Sequence, residues 1–128
     1  MKALFVVILA LFAVVGCSAN PTTMNSPQII SAAKGKELMD NDPSILLVDV
    51  RTEAEYLEIR IDGALLLPLS SITLDAIHVL PDKNATIILY CRSGNRSAQA
   101  AQLLDGLGYT KIYDMGGILD WPYDTVSG

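Results

Sequence analysis

Apolar residues in this chain fall into short unbroken runs and longer periodic ones. Ile45-Leu46-Leu47-Val48-Asp49-Val50 and Thr86-Ile87-Ile88-Leu89-Tyr90 show no alternation with polar residues. That pattern suits strands covered on both faces, as in a parallel sheet. Gln28-Ile29-Ile30, Ala64 to Leu67 (closed by Pro68) and Lys111 to Met115 are three further strand candidates. Helical signals lie between them. Ser31 can cap a helix through Lys36 to Met39, and Thr52 with Glu55 forms a capping box for a helix through Tyr56-Leu57. Ser70 or Ser71 can cap one through Leu74, Ile77 and Leu80. Ala98 to Leu104 starts a helix that runs to about Leu107, with Gly108 at the C-cap position. Asp40 to Pro43, Asp62-Gly63, Pro81 to Asn84 and Gly116-Gly117 read as turns, and Ile118 to Trp121 as a short last helix. Strands alternating with helices predict an α/β domain of about five mostly parallel strands with helices on both faces. Ligands on such sheets bind at the carboxyl ends of the strands.

The N-terminal run has a different character. After Met1-Lys2, Ala3 to Val15 is thirteen consecutive apolar residues. A spanning helix needs about 20, whereas the core of a secretory signal is of this length. Val14-Val15-Gly16-Cys17 resembles a bacterial lipobox, which implies cleavage before Cys17 and lipidation on it. Ser18 rather than Asp after that Cys implies the outer membrane if the cell is Gram-negative. The expected organisation is a signal over residues 1–16, a lipidated Cys17 with a polar, proline-containing tether over 17–27, and a folded domain over 28–128. That domain would be lipid-anchored on the periplasmic face of the membrane.

Charge and cysteine count narrow the chemistry. Without residues 1–16 the chain holds eight Lys/Arg against fourteen Asp/Glu, which argues against a nucleic-acid partner. Its two cysteines are Cys17 and Cys91. A lipidated Cys17 leaves Cys91 unpaired in an oxidising compartment, where a free thiol is worth attention. The single His78 stands in an apolar helical stretch and is expected to be structural or surface. No Cys/His cluster suggests a metal, and no cofactor is expected.

The remaining chemistry is concentrated in Cys91-Arg92-Ser93-Gly94-Asn95-Arg96-Ser97, between the last buried strand and the alanine-rich helix. Strand, tight loop and helix point backbone N–H groups and the positive end of a helix dipole at one spot. A thiol there is expected to ionise easily, since such settings bring cysteine from about 8.5 down to roughly 3.5–7.5. Two of the eight basic residues flank it on an acidic chain, which marks an anion site. Cys91 is the candidate nucleophile and Arg92 the best candidate to grip an anionic substrate. Ser93, Gly94, Asn95, Arg96 and Ser97 are the candidate cradle, with Arg96 expected to fix the loop's shape and add charge. Asp49 and Arg51, at the end of a neighbouring strand, are expected to support the loop as a structural pair first and to touch substrate only second.

From about Gln28 to Trp121 the chain resembles the rhodanese domain in its single-domain form. The resemblance rests on Leu47-Val48-Asp49-Val50-Arg51 with Glu53 and Glu55-Tyr56, on Gly63-Ala64 with Leu67-Pro68, on the Cys91 loop, and on Gly116-Gly117 with Trp121. It implies that Cys91 takes up a sulfane sulfur as a persulfide and passes it to a thiophilic acceptor. Thiosulfate is the usual donor and cyanide or a thiol the acceptor. It leaves open a slow persulfide carrier or regulatory module serving an exported acceptor protein. Where the family often has Gly-His-Ile-Pro-Gly-Ala, this chain has Ile59-Arg60-Ile61-Asp62-Gly63-Ala64, so Arg60 is a candidate to replace the His near the site. A cysteine phosphatase or arsenate reductase is the rival enzyme class. Its loops usually carry five residues between Cys and Arg, and here four intervene.

Overall fold

The computed structural model describes residues 26–128. The signal, Cys17 and most of the tether lie outside these residues. The chain runs β1 (Gln28–Ile29), α1 (Ala32–Asn41), β2 (Leu46–Asp49), α2 (Glu53–Glu58), β3 (Leu65–Leu66), a 3-10 turn (Leu69–Ser71), α3 (Ile72–Val79), β4 (Thr86–Cys91), α4 (Asn95–Gly106), β5 (Lys111–Gly117) and a last 3-10 turn (Ile118–Asp120). The five strands form one sheet in the order β1-β5-β4-β2-β3, every neighbouring pair parallel.

Strand parity divides the interior into two cores. Ile87, Leu89 and Cys91 of β4 join Val48 and Val50 beneath α3 and α4, with Ile72, Ala76, Leu80, Ala100 and Leu104. Ile88 and Tyr90 face the other way with Leu47, against Leu38 and Met39 of α1 and Tyr56 of α2. Each buried side chain of this size contributes about 1.5–3 kcal/mol relative to exposure. That is why the two unbroken apolar runs occupy the middle of the sheet.

Local signals decide most element ends. The Ser31 hydroxyl accepts from Lys34 N at 3.0 Å, and both halves of the Thr52–Glu55 capping box are formed. Gly108 takes a left-handed φ of 94° just beyond α4. Two expectations are corrected. Neither Ser70 nor Ser71 caps α3 through its side chain. The chain enters that helix by a 3-10 turn, and the Ser71 hydroxyl donates to the Pro68 carbonyl at 3.2 Å. Gly116-Gly117 is not a free turn but the end of β5, with Gly117 paired to Cys91 across a bulge in the β4 ladder. Among the described residues no helix is long and apolar enough to cross a membrane, and no group of side chains has the makings of a metal site.

Candidate active site

Cys91 is the last residue of β4, at the carboxyl edge of the sheet, and is 1% exposed. Gly94 follows with φ +108°, a conformation open to glycine at little cost, and turns the chain directly into α4. The turn brings the Gly94 N–H to 3.0 Å from the Cys91 Sγ. Asn95, Arg96 and Ser97 make the first turn of α4, whose N–H groups have no acceptor within the helix. Ser97 is wholly buried, and its hydroxyl lies 3.5 Å from Sγ. That hydroxyl donates to the Gly94 carbonyl at 3.1 Å, which leaves its lone pairs for the thiol S–H. Once the sulfur is ionised, the same hydroxyl can rotate and donate to it.

The charged residues of the loop separate. Arg92 is exposed, and its guanidinium has no partner among the described residues. Arg96 reaches toward α2, where Nη1 and Nη2 donate to the two Glu55 oxygens at 2.7 and 2.8 Å. Bidentate pairs of this kind are among the stronger hydrogen bonds in proteins. The Arg96 guanidinium holds Glu55 down to about 2, against a smaller opposing effect of burial and with help from Thr52. Glu55 in turn raises Arg96. Sequence reasoning gave Glu55 only its capping role and so missed its hold on the loop. Ser93 and Asn95 are exposed, and neither side chain makes a hydrogen bond within the described residues.

Behind the loop stands a backbone shelf. A Cβ on Gly117 would collide with the Arg92 carbonyl and the Ser93 Cα. Leu119 N donates to the Arg92 carbonyl at 3.2 Å. The first half of the loop therefore rests on the end of β5, and no side chain fits between them. The doubled glycine was the only sequence signal for this contact.

Asp49 and Arg51 are buried, and Arg51 Nε and Nη2 donate to the Asp49 carboxylate at 3.0 and 2.7 Å. The Tyr90 hydroxyl donates to Asp49 at 2.9 Å and accepts from Ile61 N at 3.2 Å, while Arg51 also donates to the Ile59 carbonyl. Burial pushes the Tyr90 phenol up, and the Asp49 charge adds to it. Burial is the largest single influence on Arg51 and would lower it, but the bond to Asp49, that carboxylate's charge and the contribution of Tyr90 together outweigh it and its pKa is raised. The network lies on the α1–α2 side of the sheet, whereas Cys91 belongs to the opposite core. Arg60 does not approach the loop. It donates to the carbonyls of Tyr56 and Gly128, and its backbone pairs with Val126. His78 is exposed on α3. Trp121 packs at the rim of the α1-side core and donates to the Asp124 carbonyl.

Two clefts lie near these elements. One, of about 570 Å³ between α1 and the segment Trp121 to Asp124, includes no residue of the Cys91 loop. The other, of about 250 Å³, touches the loop at Arg96.

The family model described as "Rhodanese-like domain" matches residues 31–122. The chain is 35% identical over 81 residues to "Thiosulfate sulfurtransferase PspE" of Escherichia coli, a match covering 63% of this chain and 78% of that protein. It is 37% identical over 95 residues to a "Sulfurtransferase" of Allochromatium vinosum, covering 73% and 86%. Among solved structures, "rhodanese with anions from E. coli" superposes with a TM-score of 0.62 at 33% identity, covering 66% of this chain and 99% of that one.

Proposed function

The chain belongs to the rhodanese-like domain family, and from that membership we propose that it is a sulfurtransferase working through a persulfide on Cys91. The Cys91 thiolate attacks the outer sulfur of thiosulfate or a similar donor. The S–S bond of the donor breaks, and its electron pair leaves with sulfite. The anionic persulfide then gives its terminal sulfur to an acceptor such as cyanide, and the Cys91 thiolate returns. Two half-reactions through a covalent intermediate imply ping-pong kinetics.

One observation carries the reading. The Gly94 N–H lies 3.0 Å from Sγ at the start of a twelve-residue helix. Loop N–H groups and the helix dipole favour negative charge there, first on the thiolate and then on the persulfide. Arg92, exposed and without a partner among the described residues, supplies the mobile cation for a dianionic donor. Arg96 serves the site through the loop's shape, since its own charge is held by Glu55.

The same proposal extends to the cell. The lipobox-like Val14 to Cys17 supports a lipid-anchored, exported domain on a tether. Its partners would be a small-molecule sulfur donor and acceptor, or an exported acceptor protein. Metabolic labelling with a radioactive fatty acid tests this point: label on the wild-type chain and none on Cys17→Ser is expected, and an unlabelled wild type would refute it. For the chemistry, intact mass after thiosulfate treatment should show one added sulfur on the wild-type chain and none on Cys91→Ser. A wild-type chain without that gain would overturn the sulfurtransferase reading.

A further inference from the structure

The groove beside the loop has a chemical character unlike that of the loop itself. It holds about 250 Å³ between Val50, Pro68 and Leu69, flanked by Arg51 and Arg96, with two hydroxyl residues completing a wall that is almost entirely apolar. Register ties it to the nucleophile. Asp49 pairs with Tyr90, and Val50 N donates to the Tyr90 carbonyl at 3.1 Å, which sets Val50 beside Cys91 on the next strand. Both side chains belong to the core beneath α3 and α4. Leu69 N donates to the Val50 carbonyl at 3.0 Å and fixes the outer lip.

The two arginines among its lining residues already have their charges paired. Arg51 is bound to Asp49 and Arg96 to Glu55. A carboxylate-bearing ligand entering here would find no free cation and would have to shed its own hydration. Arg92, whose charge has no partner among the described residues, does not line this groove. The unpartnered cation and the apolar groove therefore offer separate footholds, the first suited to an anionic donor and the second to an uncharged acceptor.

We propose that this groove binds the acceptor, and that it selects a thiol with an uncharged, apolar body. This rests on the sulfurtransferase reading above and specifies its second half-reaction. The acceptor thiolate attacks the terminal sulfur of the Cys91 persulfide. A new S–S bond forms on the acceptor, the bond to Cys91 breaks, and its electron pair stays on Cys91 as thiolate. The products are the acceptor's persulfide and the free enzyme, with no oxidant or reductant consumed.

The test uses the full chain with saturating thiosulfate and a set of simple thiols: ethanethiol, 1-propanethiol, 1-butanethiol and the carboxylate-bearing 3-mercaptopropionate. A buried methylene changes affinity about fourfold. We expect kcat/KM to rise by up to that factor per methylene along the alkanethiols, and 1-butanethiol to exceed 3-mercaptopropionate at least tenfold. Leu69→Ser should flatten the alkanethiol series while Cys91 still gains its sulfur from thiosulfate by intact mass. A flat wild-type series, or a preference for the carboxylate, with loading intact would overturn the groove assignment alone. Failure to load at all would overturn the sulfurtransferase reading and this inference with it. The wild-type series decides the matter even if the variant does not fold.

Discussion

Arg96, in the first turn of α4, and Glu55, in the first turn of α2, are joined by two hydrogen bonds of 2.7 and 2.8 Å across 41 positions of sequence. Glu55 also closes the capping box with Thr52, so one carboxylate holds the start of a helix and the Cys91 loop together. Glu55→Gln separates these duties, because Gln still completes a capping box but cannot make a charged bidentate pair. The variant should fold and lose about 1 kcal/mol by denaturant unfolding, a figure already reduced for solvent screening. It should also load sulfur from thiosulfate several-fold more slowly. A loading rate equal to wild type would show that the pair does not hold the loop.

The same pair sets an acid limit. Arg96 keeps the folded Glu55 at about 2, below the ordinary glutamate value near 4.3. A carboxyl depressed on folding contributes stability that is complete above its unfolded value and is lost as the pH falls through the folded one. The stability gap between wild type and Glu55→Gln should therefore be constant above about pH 5 and close between roughly pH 4.3 and 2. Urea midpoints at pH 6, 4 and 2.5 measure it, and a gap as wide at pH 2.5 as at pH 6 would contradict the assignment.

Gly117→Ala tests the shelf. A single methyl there meets the Arg92 carbonyl and the Ser93 Cα, both backbone atoms that cannot rotate aside. The loop must move away from β5, taking the Gly94 N–H off the sulfur. Overpacking of this kind costs about 1–3 kcal/mol, and loading of Cys91 should fall at least tenfold in protein that circular dichroism shows to be folded.

Much of this architecture could be read along the chain, and the gaps have identifiable causes. Val48 and Ile88 sit in unbroken apolar runs because parallel strands covered on both faces need no polar side, so β2 and β4 announce themselves. The Cys91 loop is equally local, being a strand end, a glycine turn and a helix start within seven residues. Glu55 was legible only halfway, because the capping box accounts for its presence and nothing nearby in sequence points to Arg96. Gly117 was harder still. A glycine pair before a short helix looks like a turn, whereas the real constraint is a backbone contact with residues 92 and 93. Contacts of that sort leave no periodicity to detect.

Arg92 should govern the donor rather than the acceptor. It is exposed and unpaired among the described residues, so its charge is available to thiosulfate but partly screened by water. Arg92→Ala should lower kcat/KM for thiosulfate about tenfold, a loss smaller than that of a fully buried anion-hole donor. It should leave the rate of the thiol half-reaction, measured from preloaded enzyme, within twofold. The thiosulfate dependence on salt should weaken in parallel. A variant with unchanged thiosulfate kinetics would remove Arg92 from the site.

Asp49 gives the opposite expectation, and strand parity is the reason. Alternate residues of a strand point to opposite faces, and the core beneath α3 and α4 contains Val48, Val50 and Cys91 but not Asp49. Asp49 is fully buried with Arg51 and Tyr90 on the far side of the sheet. Asp49→Asn would leave the Arg51 charge buried without its counter-ion, a loss of about 3–5 kcal/mol for pairs of this kind. Its effect should appear in stability, as a fall in the unfolding midpoint. Sulfur loading per folded molecule should stay within about threefold of wild type, because the network touches neither Sγ nor the first turn of α4. Asp49→Leu separates the two roles further, since it removes the acceptor for Tyr90 as well. If either variant stays fully folded yet fails to take sulfur from thiosulfate, the carboxylate acts on the substrate through the sheet, and the division of labour between the two faces is wrong.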